Sequence, residues 1–347
     1  MKRFFALALS VLMALSITAC GAKEEAPAAT PSAPAASAPA ATTPATPAAP
    51  ALKYPEGNID MAVGFKAGGG TYLSAQMLTN YNDIWGTAIN LVEKAGSGGA
   101  IAADYVANAK ADGYTTLFTT AALPISIGLG DVEFAPEALV GVAQCTEVCQ
   151  VLAVAGDAPY NNVEELIAYA NANPGSFVWA YPGTGSSLHI MGTYVLDGMG
   201  ILDNTTGIPY DSTSEAIAAI LGGHINGCSM YTTSIGDYVE AGQLKIIGIL
   251  SEERDPNFDY IPTYKEQGVG IQPITVWRGV FAPADTPAEI LNYLDEKLTE
   301  ICNSDDFAKR ATELGETASH IGMKEFNEKY QSEIALYKPI LESLGLV

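Results

Sequence analysis

Positive charge is the scarcest property of this 347-residue chain: 17 lysines and arginines stand against 39 aspartates and glutamates, a formal net charge of −22. A phosphate backbone is held by a basic stripe. So few cations cannot form one, and nucleic acid is excluded as a partner. Histidine is scarcer still, with three residues, and cysteine has five. They show no paired spacing of the zinc-site kind, so no metal and no cofactor is expected. Catalytic signatures are missing as well. There is no Gly-x-x-x-x-Gly-Lys-Ser/Thr loop and no complete Gly-x-Gly-x-x-Gly fingerprint. The stretch Ala95 to Gly99 resembles a serine elbow only superficially, and nothing marks His189, His224 or His320 as its base. No catalytic residue is assigned, and binding rather than catalysis is expected. What the chain does have is 48% hydrophobic and only 16% charged residues, the composition of a protein with sizeable cores and room for two domains.

One apolar run stands out, and it is at the beginning. Lys2 and Arg3 precede Phe4 to Leu15, followed by Ile17-Thr18-Ala19-Cys20-Gly21. These are the charged, apolar and small-residue regions of an export signal over residues 1–19. The run is shorter than the roughly 20 residues of a membrane-spanning helix. Ile17 to Cys20 resembles the bacterial lipobox, which implies that Cys20 is the lipid-modified first residue of the mature chain; a plain cleaved signal is the alternative. Residues 20–52 then read as a linker made almost wholly of Ala, Pro, Thr and Ser. Such a segment cannot bury a core, and at about 3.1 Å per residue it could reach roughly 95 Å. The expected location is extracytoplasmic, on a bacterial membrane through a lipid anchor. For Cys145, Cys149, Cys228 and Cys302 buried thiols are expected rather than a disulfide. If residues 140–154 form one strand, Cys145 and Cys149 lie about 13 Å apart, too far to bridge.

Two glycine-rich loops carry the functional signal. Ile59, Met61, Val63 and Phe65 alternate with smaller or polar residues, the period of a strand. The chain then breaks at Lys66-Ala67-Gly68-Gly69-Gly70-Thr71, and a helix is predicted over residues 72–81 with Thr71 as its N-cap. The arrangement recurs downstream. Residues 177–181 read as a strand and Pro182 to Ser187 as a loop, before a helix with Leu188, Met191 and Val195 inward, capped by Ser186 or Ser187. Strand, glycine loop and helix start together aim free N–H groups and a positive dipole end at one point, which suits an anion. A third loop, Gly96-Ser97-Gly98-Gly99, precedes another predicted helix over residues 100–109. Each loop alone also fits an ordinary strand-to-helix turn; the pair is more telling. Hydrogen bonds to a charged group contribute about 1.5–3 kcal/mol each, so three or four neutral donors could supply the roughly 8 kcal/mol of micromolar binding.

The order of motifs resembles the solute receptors of tripartite tricarboxylate transporters, the Bug family. It runs through Tyr54-Pro55, the Phe65 to Thr71 loop, Val92 to Gly99, Ala111 to Thr115 and Tyr181 to His189. It continues through Ile208-Pro209-Tyr210, Leu221 to His224, Ile261-Pro262-Thr263, Trp277-Arg278-Gly279 and Phe281-Ala282-Pro283. The resemblance implies an α/β, bilobal periplasmic-binding-protein fold of type II, two lobes around a ligand cleft. Residues 53–152 and 249–347 would form lobe one and its C-terminal helices, and residues 153–248 lobe two. It implies a monomeric receptor that captures a small carboxylate and delivers it to membrane permease subunits of such a transporter. A sensor that presents its closed form to a signalling protein is the alternative. Carried over by position, the ligand residues would be Ala67, Gly68, Gly70, Thr71 and Tyr72 from the first loop, and Thr184, Gly185, Ser186 and Ser187 from the second. His189 sits where the family tends to have histidine and could instead pack under the loop. Trp277 either lines the cleft or belongs to the core. Lys66 and Arg278 could add a charge beside the first loop, and Arg278 could tie the lobes together; neither is assigned. The chain departs from the family with Ala67 where proline is usual, and with Tyr72 and Met230 where aspartates are usual. The ligand list of the family therefore transfers poorly, and amino-dicarboxylates are expected to bind worse than simple carboxylates.

Overall fold

Repeatedly in this chain a run of alternating apolar residues ends in glycine or another small residue, and a helix begins there. A computed structural model describes residues 52–347. The export signal, Cys20 and nearly all of the linker lie outside the described residues. Four strands, β1 (Ile59–Val63), β2 (Ile89–Glu93), β3 (Thr115–Thr120) and β4 (Leu139–Val148), belong to a first sheet. The chain then forms β5 (Gln150–Ala155), β6 (Phe177–Pro182), β7 (Thr205–Tyr210), β8 (Gly227–Tyr231) and β9 (Leu244–Leu250) in a second sheet. It returns to the first with β10 (Val276–Pro283) and β11 (Thr317–Ile321). The spatial orders are β11-β4-β10-β3-β1-β2 and β7-β6-β8-β5-β9. Within them β1 runs parallel to β2 and β3, and β6 parallel to β7 and β8. The strand β10 lies antiparallel between β3 and β4.

Side-chain alternation assigns each face of the first sheet to its own core. Val63, Phe118 and Val280 pack with Met77 and Leu78 of the helix Gly70–Leu78 and with Leu294, Leu298 and Phe307 from the helices Ala288–Cys302 and Asp305–Glu313. Their neighbours Ala62, Leu117 and Phe281 face the other way, onto the helices Ala100–Ala107, Ala122–Leu129 and Met323–Ser343. Both faces are covered, so all eight residues of β10 are buried. The second lobe opens with a helix, Val163–Ala172, whose start was legible. Asn162 Oδ1 accepts from the Glu165 amide at 2.9 Å, and Glu165 Oε2 reaches back to the amide of Asn161 at 2.7 Å.

The expectation of a single strand over residues 140–154 is not met. Val148 pairs with Val276 in the first sheet, whereas Gln150 pairs with Tyr231 and Leu250 in the second, so the run divides at Cys149. A continuous β-branched stretch serves two sheets because its halves have different partners. All four cysteines among the described residues are free and buried. The last helix, Met323–Ser343, packs on Ala122–Leu129 and β4 and also reaches the helix Ser187–Gly198 of the second lobe.

Trp277 belongs to the core and not to the cleft. It is fully buried, stands edge-on to Phe326, and donates from Nε1 to Glu333 Oε2 at 2.7 Å. Burial pushes the Glu333 carboxyl up to about 7 from its ordinary 4.5, against the opposing pull of Lys329 and of the Trp277 bond. Between those values the folded state retains a proton that the unfolded chain has released. Glu333 therefore costs least stability below pH 4.5, and the cost grows as pH rises to about 7. We expect Glu333→Gln, which can still accept from Trp277, to remove this slope and to stabilise the protein above pH 7 by on the order of 3 kcal/mol. Thermal unfolding at pH 5 and pH 8 compares the two proteins; parallel pH profiles would contradict the assignment.

Candidate ligand-binding site

Loop one begins where β1 gives way to Gly64. A side chain there is impossible without movement, since a Cβ on Gly64 would lie 2.5 Å from the Cα of Gly99 in the third loop. The following helix starts two residues before the predicted point. Gly69, not Thr71, is the N-cap, and no side chain caps it; Thr71 is instead buried in the first helical turn. The Gly69 amide donates to the Lys66 carbonyl at 3.0 Å, and the first bond along the helix runs from Leu73 to Gly69. The amides of Gly70, Thr71 and Tyr72 are therefore left without an acceptor inside the helix. Ala67 is already engaged, because its amide donates to Glu93 Oε2 at 2.9 Å. Gly68 forms the exposed turn at φ +83°. The Tyr72 ring packs against the core cluster beneath the helix. Of the five residues expected here, Gly70, Thr71 and Tyr72 keep free amides just beyond the end of β1.

Loop two is held from below by His189. The Gly185 amide donates to His189 Nδ1 at 3.2 Å, and the imidazole stacks on Tyr181 with centroids 3.9 Å apart. Ser186 is the N-cap of the helix Ser187–Gly198, its Oγ accepting from the His189 amide at 3.2 Å. The Gly185 amide, expected to serve a ligand, is thus spent on the loop itself, whereas the Ser186 hydroxyl accepts within the loop and keeps its own O–H to donate. Gly185 adopts φ +77° with nothing within 4 Å of a Cβ position, so it faces open space. Ser187 Oγ lies 2.6 Å from the Tyr231 hydroxyl at the end of β8. Thr184 is exposed at the rim. Met230, by contrast, is completely buried, and it is the next residue, Tyr231, that reaches the cleft.

Across the cleft from Thr184 to Ser187 stands the third loop rather than the first. Ser97 and Gly98, with Phe65, Ser126 and Asp131, complete a cavity of about 420 Å³ between the lobes, within the range of small-molecule sites. Ser97 is the one non-glycine residue with positive φ among the described residues, at +45°. The glycines around it were visible in the sequence. The strained serine and its position opposite loop two were not, because both depend on how the lobes pack. A hollow of similar size, about 410 Å³, lies near the strand crossing. Its cations are occupied, Arg254 by Glu266 and Lys329 by Gln144 and Thr275, and the one-turn helix Pro256–Phe258 that begins in its wall is capped by the Asp255 carboxylate.

Arg278 is the residue that sequence reasoning left unassigned. It is 8% exposed on β10, with Nη1 donating to Ser74 Oγ at 2.9 Å and ion-paired with Glu316. Glu316 also accepts from Thr146 at 2.6 Å and from Ser74 at 2.5 Å. Burial pulls the guanidinium down to about 10, partly offset by Tyr231, so it stays charged at neutral pH. The available signal was an arginine inside an otherwise apolar strand, where a charge must find a partner.

Residues 74–346 match the family described as the tripartite tricarboxylate transporter family receptor. The chain belongs to that family. Protein BugT of Bordetella pertussis is 30% identical over 256 residues, which span 72% of this chain and 78% of BugT. Among solved structures, a TctC solute-binding protein from Polaromonas superposes with a TM-score of 0.77 at 27% identity, covering 84% of this chain and 99% of the other. The periplasmic binding protein BugD gives 0.66 at 26%, with the same coverages. A protein of R. palustris solved with adipate shares the fold at a TM-score of 0.68 and 24% identity, over 84% of this chain and 98% of its own. The family and the bilobal type II fold are those of extracytoplasmic solute-binding receptors. No helix among the described residues is long and apolar enough to cross a membrane.

Burial lowers the pKa of His189 from its ordinary 6.5, and a neutral ring with an unprotonated Nδ1 is what the Gly185 bond requires. The stabilising contribution is complete above pH 6.5 and is lost as pH falls below it, because the unfolded chain takes up the proton first. We expect His189→Phe, which keeps the stack on Tyr181, to unfold with a smaller loss of melting temperature between pH 7 and pH 5 than the wild type. Equal losses would show that His189 does not titrate against loop two.

Proposed function

We propose that this protein captures a small carboxylate-bearing ligand between its lobes and delivers it to the permease subunits of a tripartite tricarboxylate transporter. A lipid on Cys20 would anchor it to the membrane as a monomer, with the Ala/Pro-rich linker as the tether. The observation that carries this reading is the pair of open helix starts at Gly70 and Ser187, one in each lobe, the second of them lining a cavity of about 420 Å³. The ligand would meet the amides of Gly70 and Thr71 from the first lobe, and Thr184 and the Ser187 amide and hydroxyl from the second. Closure would then be favoured by the ligand, because only the closed form satisfies both sets of donors. The carboxylate held by the adipate-bound protein of the same fold supports the choice of ligand class.

The test is a thermal-shift screen of the full chain against mono-, di- and tricarboxylates, with aspartate and glutamate included. One class should raise the melting temperature saturably, by an amount that follows its concentration over its dissociation constant. We expect Gly185→Asp to fold at a cost of about 1 kcal/mol for a side chain at φ +77°, which aspartate tolerates better than most residues and for which there is room, and to lose the carboxylate response by placing a negative charge in the second loop. A variant that kept its affinity would remove loop two from the site.

A further inference from the structure

A guanidinium has two hydrogen-bonding edges, and in Arg278 they are used unequally. Nη1 is committed to Ser74 and Glu316. Nε is buried and has no partner among the described residues. Nη2 lies 3.2 Å from the position a Cβ on Gly70 would take, beneath the helix start whose amides lack acceptors. Nε and Nη2 together form the side-on fork that matches the two oxygens of a carboxylate. Glu316 does not fill that edge; it is held by Ser74 and Thr146 on the far side. From the second lobe, Tyr231 with its bond to Ser187 comes close enough for the charge of Arg278 to act on its hydroxyl. A positive charge has thus been buried beside the first loop, with Nη2 under Gly70 and Nε left without a partner.

We propose that Arg278 reads the charge of the ligand: its Nε–Nη2 edge takes one carboxylate in bidentate fashion, with the Gly70 and Thr71 amides completing the site. The proposal rests on the carboxylate-receptor reading above and deepens it. Glu316 balances the guanidinium charge in the free protein from the opposite edge and does not meet the ligand. A ligand that presents a neutral amide in place of this carboxylate is refused, because one oxygen becomes a donor facing two donors. Lysine cannot replace the arginine, since a point charge lacks the fork.

Titration calorimetry with the full chain, adipate and the monoamide of adipate tests the assignment. In the wild type, replacing the dianion by the monoamide is expected to weaken binding about tenfold or more. Arg278→Gln is expected to weaken adipate binding about 30-fold or more, and Arg278→Lys about tenfold. Glu316→Gln removes the competing negative charge; it is expected to lower the melting temperature of the free protein and yet tighten adipate binding several-fold. A merely structural ion pair would lower the melting temperature in all three variants and leave affinity unchanged, and that result overturns the proposal. So does an Arg278→Lys protein that matches the wild type. If Arg278→Gln does not fold, Glu316→Gln and the wild-type comparison of adipate with its monoamide decide the matter. A wild type that responds to no carboxylate overturns the receptor reading itself. A wild type that binds adipate while the variants bind equally well overturns only the role of Arg278.

Discussion

A backbone N–H at the start of a helix has no acceptor inside that helix, and the structure keeps two such starts uncovered where its lobes meet. At Gly70 no side chain caps the helix, and at Ser187 the one capping hydroxyl goes to His189 and leaves the first turn open. Parallel strands deliver both starts, because β1 and β6 end at the same side of their sheets as the helices begin. The close contact of Gly64 with Gly99 sets the third loop beside the first. The stack of His189 on Tyr181 braces the second loop, so that its remaining donors stay in place without a ligand. An uncovered amide is costly when buried and inexpensive when it meets water or an anion. Those helix starts accordingly sit at the cleft and not in the cores.

The overall charge of −22 sets a problem for any anion-binding role. At physiological ionic strength charges more than about 8 Å away are largely screened, so the groups lining the cleft decide what enters it. Those lining the cavity are amides, hydroxyls and the Asp131 carboxylate, and Arg278 lies buried beside the first loop. Arg278 is affordable on a buried strand because Glu316, Ser74 and Thr146 surround one edge of it. The net charge of that cluster is zero, yet its geometry is directional, and direction is what a recognition site requires.

The lobes are joined by more than a cleft. The chain passes between the sheets within one residue, at Cys149, and the last helix spans from β4 to the helix behind the second loop. Trp277 and Glu333 lock that helix to β10, one residue from Arg278.

Much of this was legible in the sequence, for a local reason. Strands, glycine loops and helices follow from periodicity and from residues close in the chain, so β1, β6 and the two loops with the helices after them could be read directly. The helix start at Gly69 rather than Thr71 was misread because both positions satisfy local rules. Which donors remain free could not be read at all. Ala67 loses its amide to Glu93 and Ser187 meets Tyr231, partners 26 and 44 residues away. Arg278 is positioned by Ser74 and Glu316, and Trp277 is drawn into the core by Glu333. The sequence by itself determined that two glycine-rich loops would each lead from a strand into a helix. The tertiary structure decided which of their polar groups stay free, because a hydrogen bond between distant residues exists only once the chain has folded.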